Sequence, residues 1–269
     1  MAKQEQQEAP IEDLDWYETP QYYDVIFDPD TDLELKFLEE ALERYGLSSG
    51  RRVLEPACGS GRLVLGLAER DYTVTGTDLS KAMLKYTRKR LKDAGVKARL
   101  VAGDMAEAPP KGPYDLAHCL VSTFKYLPTE KAALSHLQGV CDALAPGGIY
   151  CLGFHLTDYD IDHEDLEHWE QERDGMKVTC DIRTWPPNAK RRQEPVRSSI
   201  TVEENGRIRR TQTDWKFRTY NSDQFRKLLA KVPDFELVCT HDFEFNIDEC
   251  FDLNDGQYDV LVVLRRREN

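Results

Sequence analysis

Val53-Leu54-Glu55-Pro56-Ala57-Cys58-Gly59-Ser60-Gly61-Arg62-Leu63 is the most informative stretch of the chain. A short apolar run ends in an acid, turns through small residues and enters a segment with helical spacing. Glycines at 59 and 61 carry no Cβ, so the backbone there tolerates positive φ and lets a ligand approach closely. The nearest competing pattern is the dinucleotide fingerprint G-x-G-x-x-G. Its third glycine would fall at position 64, which is Val64. Glu55 argues the same way: a carboxylate beside a pyrophosphate is repulsive, whereas a cationic ligand welcomes it.

Outward from this loop the pattern repeats. Short apolar runs at 52–55, 73–77, 99–102, 115–121 and 149–154 alternate with helical stretches at 62–69, 81–94 and 130–144. Ser80 and Thr129 stand as N-caps, and Ala145-Pro146-Gly147-Gly148 reads as a helix stop followed by a turn. This alternation predicts an α/β fold: a doubly wound, mainly parallel, seven-stranded sheet with helices on both faces. Upstream, Thr31 and Glu34 have capping-box spacing and open a helix closed by Gly46. Downstream of His155 the character changes to antiparallel strands at 178–184, 199–203 and 207–217, with Asn205-Gly206 as a type I′ hairpin turn. A helix over 222–232 and strands at 235–245 and 258–265 follow. The expected organisation is an N-terminal tail and cofactor-covering segment (1–30), a core (31–156), an antiparallel β insertion after the fifth strand that covers the substrate (157–220), and the last helix with the closing strands (221–269).

Two further acids fall at strand ends. Asp78 follows 73–77 and can accept hydrogen bonds from both hydroxyls of a ribose. Asp104 follows 99–102 and can accept from an adenine amine, with Leu79, Met105 and Leu120 to sandwich the ring. With these residues in place, 52–155 resembles the class I, Rossmann-like S-adenosylmethionine-dependent methyltransferase superfamily, in the E-x-A-C-G-x-G version of its first motif. The resemblance implies S-adenosylmethionine as cofactor. It implies Glu55, Gly59 and Gly61, with Cys58 of the same motif, on the methionine side, Asp78 at the ribose and Asp104 at the adenine. The insertion and the Tyr22-Tyr23-Asp24 segment are similar in placement to those of small-molecule methyltransferases, including amino-sugar N-methyltransferases.

Composition limits the partners. The 269 residues carry a formal charge of −13, which repels polyphosphate and disfavours nucleic acid. A basic excess over 183–218 leaves an anionic acceptor open. No apolar run reaches the length of a membrane span, and residues 1–10 have no apolar signal region, so the cytoplasm is the expected location. Seven scattered cysteines without C-x-x-C spacing argue against a zinc site or a disulfide framework. Monomer and homodimer are equally compatible with the sequence.

The expected activity is methyl transfer from S-adenosylmethionine to an N or O atom of a small molecule by in-line displacement. The sequence lacks the [DN]-P-P-[FY] pattern of base-amine methylation after the fourth strand, and the acceptor-site aspartate of metal-dependent catechol enzymes. Asp158, Asp160, Asp162 and His163 read as a solvated acidic loop, and no metal is expected. Acceptor sites in such sheets lie beyond the carboxyl ends of the strands. That points to Tyr22, Phe124, Tyr126 and His155, with His155 as the candidate base. The competing readings are an RNA or protein methyltransferase, and a non-catalytic protein that binds the same cofactor.

Overall fold

Val53 and Leu54 have no exposed surface, and a strand apolar on both faces needs cover on both. The computed structural model, which describes residues 10–12 and 14–268, supplies that cover. Residues 1–9 of the expected tail lie outside the described residues. The described chain begins with a two-residue strand, β1 (Ile11–Glu12), a 3₁₀ turn (Trp16–Glu18), and helices α1 (Pro20–Phe27) and α2 (Thr31–Tyr45). The alternating part follows: β2 (Arg52–Pro56), α3 (Arg62–Glu69), β3 (Thr73–Asp78), α4 (Lys81–Ala94), β4 (Arg99–Ala102), β5 (Tyr114–Cys119), α5 (Glu130–Ala143) and β6 (Leu144–His155). An antiparallel meander comes next, β7 (Asp165–Arg173), β8 (Met176–Thr184), β9 (Gln193–Glu204) and β10 (Arg207–Arg218). Helix α6 (Ser222–Leu229) and strands β11 (Phe235–His241) and β12 (Asp259–Arg266) complete it.

The seven-stranded sheet has the order β11-β12-β6-β5-β2-β3-β4. Strands β2 to β6 are mutually parallel, and β12 enters antiparallel beside β6. Because β3 lies on one side of β2 and β5 on the other, the winding reverses at β2. A crevice opens there at the carboxyl ends of the strands. The caps read from sequence hold: Ser80 Oγ accepts from the Met83 amide at 3.2 Å, Thr129 Oγ1 from Ala132 at 3.1 Å, and Asn221 forms a capping box with Gln224.

Four expectations are corrected. Thr31 does not cap α2; it and Glu34 both turn to Arg62, as described below. Pro146-Gly147-Gly148 is no separate turn. Tyr114 pairs with Leu144 and Leu116 with Ile149, so these residues bulge out within β6. The helix α1 was not foreseen, because eight residues that are aromatic on several sides give no 3.6-residue stripe. Lastly, Cys239 is disulfide-bonded to Cys250, while five cysteines are free and buried. The chain after β11 folds back so that Phe251 pairs with Thr240, a contact that no spacing rule signals.

The insertion forms its own sheet, β1-β10-β9-β8-β7. Its inner face packs Val178, Cys180, Ile200 and Val202 against Trp16, Tyr22, Val25 and Ile26. Asn205 and Gly206 have φ of 51° and 74°, as the hairpin turn requires. Strand β7 is additional to the expected set. Its half-buried positions alternate, but the acidic composition of the run hides that alternation. Among the described residues no helix is long and apolar enough to cross a membrane.

Candidate cofactor and acceptor site

Between β2 and α3 the chain must reverse in five residues, and it does so through left-handed φ at Ala57 (53°), Gly59 (53°) and Gly61 (71°). A Cβ on Gly61 would lie 2.1 Å from Thr87 Cγ2. Thr87 cannot retreat, since it is fully buried on α4 and its hydroxyl donates to the Gly59 carbonyl at 3.0 Å. Asp78 closes the loop from the next strand. Its Oδ2 accepts from the Gly59 amide at 2.8 Å and its Oδ1 from the Ser80 amide at 2.7 Å. Burial raises its pKa, against the pull of those two amides.

Glu55 lies behind the loop. Its Oε2 has no hydrogen-bond partner among the described residues, and it sits 3.8 Å from His118 Nε2, itself without a partner. Burial pushes the Glu55 carboxyl up to about 8 and the His118 imidazole down to about 3. Near neutral pH the protein alone thus holds a protonated carboxyl against a neutral ring. A buried acceptor with no donor is costly, and a ligand cation would satisfy it. A glycine that admits no side chain, an orphaned carboxyl oxygen and a backbone-held aspartate all suit an adenosyl sulfonium carrying an amine. Arg62, at the start of α3, supplies a cation beside the same loop. Glu34 Oε1 accepts from its Nη2 at 2.8 Å and Thr31 Oγ1 from its Nη1 at 3.2 Å.

The loop opens into a cavity of about 1190 Å³ at the switch point, roofed by the N-terminal segment and the insertion. Of the expected cofactor residues, Gly59, Asp78, Leu79, Asp104 and Met105 line it. Leu79 is 74% exposed, with its side chain free to cover a flat ring. Asp104 Oδ1 accepts from the Ala106 amide at 2.8 Å. The carbonyl of Met105 accepts from His136 Nδ1 at 2.8 Å, and His136 Nε2 meets the Tyr150 hydroxyl at 2.7 Å. The other four do not line it: Glu55 lies behind the loop, Gly61 abuts Thr87 on α4, and Cys58 and Leu120 face elsewhere. The Cys58 side chain packs against Gly76, leaving its amide to donate to the Thr77 carbonyl at 2.8 Å. Leu120 is buried in the core, and the cavity is lined instead by Val121, whose φ of 56° turns the chain.

On the acceptor side the structure brings Tyr126 and His155 together. Nδ1 of His155 lies 2.6 Å from Asp259 Oδ1, its ring stacks on Tyr258 at 4.7 Å, and its amide donates to Ser122 Oγ at 3.1 Å. Tyr126 stacks on Trp215, which stacks in turn on Trp16. Phe124 and Tyr22 belong elsewhere. Phe124 is a core residue against Phe154, Tyr220 and Phe225. Tyr22 packs into the insertion sheet and accepts from Arg209 at 3.3 Å. Its neighbour Tyr23, about 100° further round α1, faces the cavity instead.

Strand β7 contributes what the sequence reading missed: Glu167, Trp169 and Gln171 on one face, all lining the cavity. Burial raises the pKa of Glu167, with His155 opposing and Asp165 and Asp259 adding to the rise. Glu194 also lines the cavity, paired at 3.0 Å with buried Lys125, whose ammonium sits 5.0 Å over Phe217. Eight carboxylates line the cavity against two cations, Arg62 and Lys125. The basic excess of the insertion is not a mouth to the site. Arg197 pairs with Asp214 and Arg209 with Glu12, and Arg192 donates to the Thr219 carbonyl. None of these arginines is among the residues that line the cavity.

A family model described as a methyltransferase domain matches residues 53–148. A methyltransferase of Geobacillus sp. (strain WCH70) is 23% identical over 210 residues, covering 77% of this chain and 83% of that protein. Other curated relatives match over about half of their length or less. A crystal structure of an S-adenosylmethionine-dependent methyltransferase from Clostridium acetobutylicum superposes with a TM-score of 0.75 at 16% identity, covering 94% of this chain and 99% of that one. The sugar N-methyltransferase of a Streptoalloteichus species gives 0.73 at 16% identity, covering 97% and 95%. The matched domain spans β2 to the bulge of β6, the same strands that build the loop and its acids. Residues 53–148 therefore match a methyltransferase domain, and the chain has the class I, Rossmann-like fold of S-adenosylmethionine-dependent methyltransferases.

Proposed function

We propose that this enzyme methylates an amine nitrogen of a small acceptor bound between the core and the insertion. The observation that carries this reading is the lining of the acceptor half. It is aromatic and acidic, its one ammonium (Lys125) is already paired with Glu194, and its outer wall is a second sheet that leaves room for a small molecule. Such a lining attracts a cation and repels an anion. When bound, S-adenosylmethionine supplies a methyl group on a sulfonium, open to in-line displacement. In this reading Glu55 and Arg62 face the amine and carboxylate of its methionine end, Asp78 the ribose and Asp104 the adenine amine. Glu167 receives the acceptor as its ammonium. His155, oriented by Asp259, removes a proton to free the nitrogen lone pair. Alignment within the cavity, with water excluded, then supplies most of the rate. The likeness in fold to a sugar N-methyltransferase supports nitrogen over oxygen. The charge of −13 and the roofed cavity speak against nucleic acid.

Initial rates with a panel of amino sugars and amino alcohols, beside phenols and carboxylates of similar size, test this. N-methylated products are expected, and methylation confined to hydroxyl or carboxylate oxygens would overturn the reading. With an active amine in hand, Glu167→Gln is expected to raise its KM about tenfold, as for the loss of one charge-assisted hydrogen bond, with kcat changed far less.

A further inference from the structure

Asp24, on α1, is 1% exposed and does not line the cavity described above, yet every lone pair of its carboxylate is engaged. Oδ1 accepts from Ser60 Oγ at 3.0 Å and from Arg90 Nη1. Oδ2 accepts from the Tyr86 hydroxyl at 3.2 Å and from Arg173 Nη2 at 2.7 Å. Asp28, one turn on, shares both arginines: Nη1 of Arg173 at 3.4 Å and Nη2 of Arg90 at 3.8 Å.

The donors come from parts of the molecule with different tasks. Ser60 stands between the two glycines of the cofactor loop, and its carbonyl also accepts from Arg90 at 3.4 Å. Tyr86 and Arg90 lie on α4, which carries the Thr87 that holds Gly59. Arg173 ends β7, on the same face as Glu167, Trp169 and Gln171. The helix between them holds Tyr23 over the loop.

We propose that Asp24 is a junction that couples the cofactor loop to the acceptor cover, and that Arg173 and Ser60 act through it as positioning residues for cofactor binding. A loop held in its bound shape and a cover held on α1 then share one set of charge-assisted bonds. Loosening either end releases the other. This rests on the placement of S-adenosylmethionine at the glycine loop.

The test is calorimetric titration of the full chain with S-adenosylmethionine. Asp24→Asn would leave two arginines facing a neutral group and would read stability, so the partners are varied instead. Arg173→Gln is expected to weaken cofactor binding about fivefold or more, although Arg173 touches no part of the cavity. Arg173→Lys should restore part of the loss. Combining Ser60→Ala with Arg173→Gln should cost less than the product of the single effects, because both act on one carboxylate. Arg183→Gln breaks an exposed ion pair with Glu164 on the same sheet and should leave affinity unchanged. Unchanged affinity in Arg173→Gln, independent multiplication of the two effects, or an equal loss in Arg183→Gln would each overturn the proposal. If Gly61→Val also bound normally, the loop placement itself would be wrong. If Gly61→Val failed to bind while Arg173→Gln bound normally, only the junction would fall.

Discussion

Gly61→Val is expected to lose cofactor binding by roughly a hundredfold or more, about 2.7 kcal/mol. The added Cβ would meet Thr87 Cγ2 at 2.1 Å, and φ of 71° is strained for any side chain, most of all a β-branched one. Relief requires α4 to move or the loop to unwind, and either takes Gly59 away from Asp78. Backbone strain alone is not the cause, and a second glycine separates the two effects. Gly95 has φ of 73° at the end of α4, but nothing lies within 4 Å of its absent Cβ. Gly95→Val should therefore lower the melting temperature and keep affinity, whereas Gly61→Val should lose affinity while its far-UV circular dichroism is retained. Normal titration of S-adenosylmethionine by Gly61→Val would refute the site.

The second large effect is on pH. Glu55 holds its proton up to about pH 8 in the protein alone, chiefly because it is buried. A ligand cation needs it ionised, so binding below pH 8 must expel that proton, at up to about tenfold in affinity for each pH unit. Affinity is expected to rise as pH climbs from 6 to 8, by up to about a hundredfold, and to level off above. Glu55→Gln should bind more weakly at pH 8 and show a flat profile. A wild-type profile flat over that range would rule out Glu55 as the cation's partner. Stability moves the other way. A folded pKa above the unfolded value means that Glu55 favours folding most below about 4.5, and that this contribution is lost as pH rises through about 8. His118, lowered to about 3, destabilises the fold only as pH falls below its ordinary value of 6.5. Melting curves of the unliganded protein should therefore slope downward from pH 6.5 to 8, short of the range in which the unfolded chain loses its cysteine protons, and Glu55→Gln should flatten that slope.

Much of the cofactor half could be read from the chain because it is local. Glu55, Asp78 and Asp104 each follow an apolar run directly, and a parallel sheet places all such ends on one edge. The acceptor half comes from segments that meet only in space. Glu167, Lys125, Glu194 and Asp259 lie on four separate elements, and nothing in the sequence says that they converge. Phase was the other loss. Tyr22 and Tyr23 differ by about 100° around α1, and without a periodic stripe the sequence offers no way to choose between them. Thr31 and Glu34 show how a correct spacing can carry the wrong meaning: the two do act together, but on the guanidinium of Arg62 rather than on a helix end.

The position of β12 has a consequence for how the molecule assembles. Its central residues, Val260 to Leu264, are completely buried, and it lies between β6 and β11. Its partner β6 ends 104 residues before it, at the His155 that pairs with Asp259. During synthesis the five parallel strands and the whole insertion emerge while the β6 edge is still bare. An unpaired apolar edge of this kind is prone to adhere to other chains. The last pairing to form is also the one that orients the candidate base. During synthesis the cofactor loop is therefore complete before the acceptor site, since the strand that finishes the sheet also finishes that site.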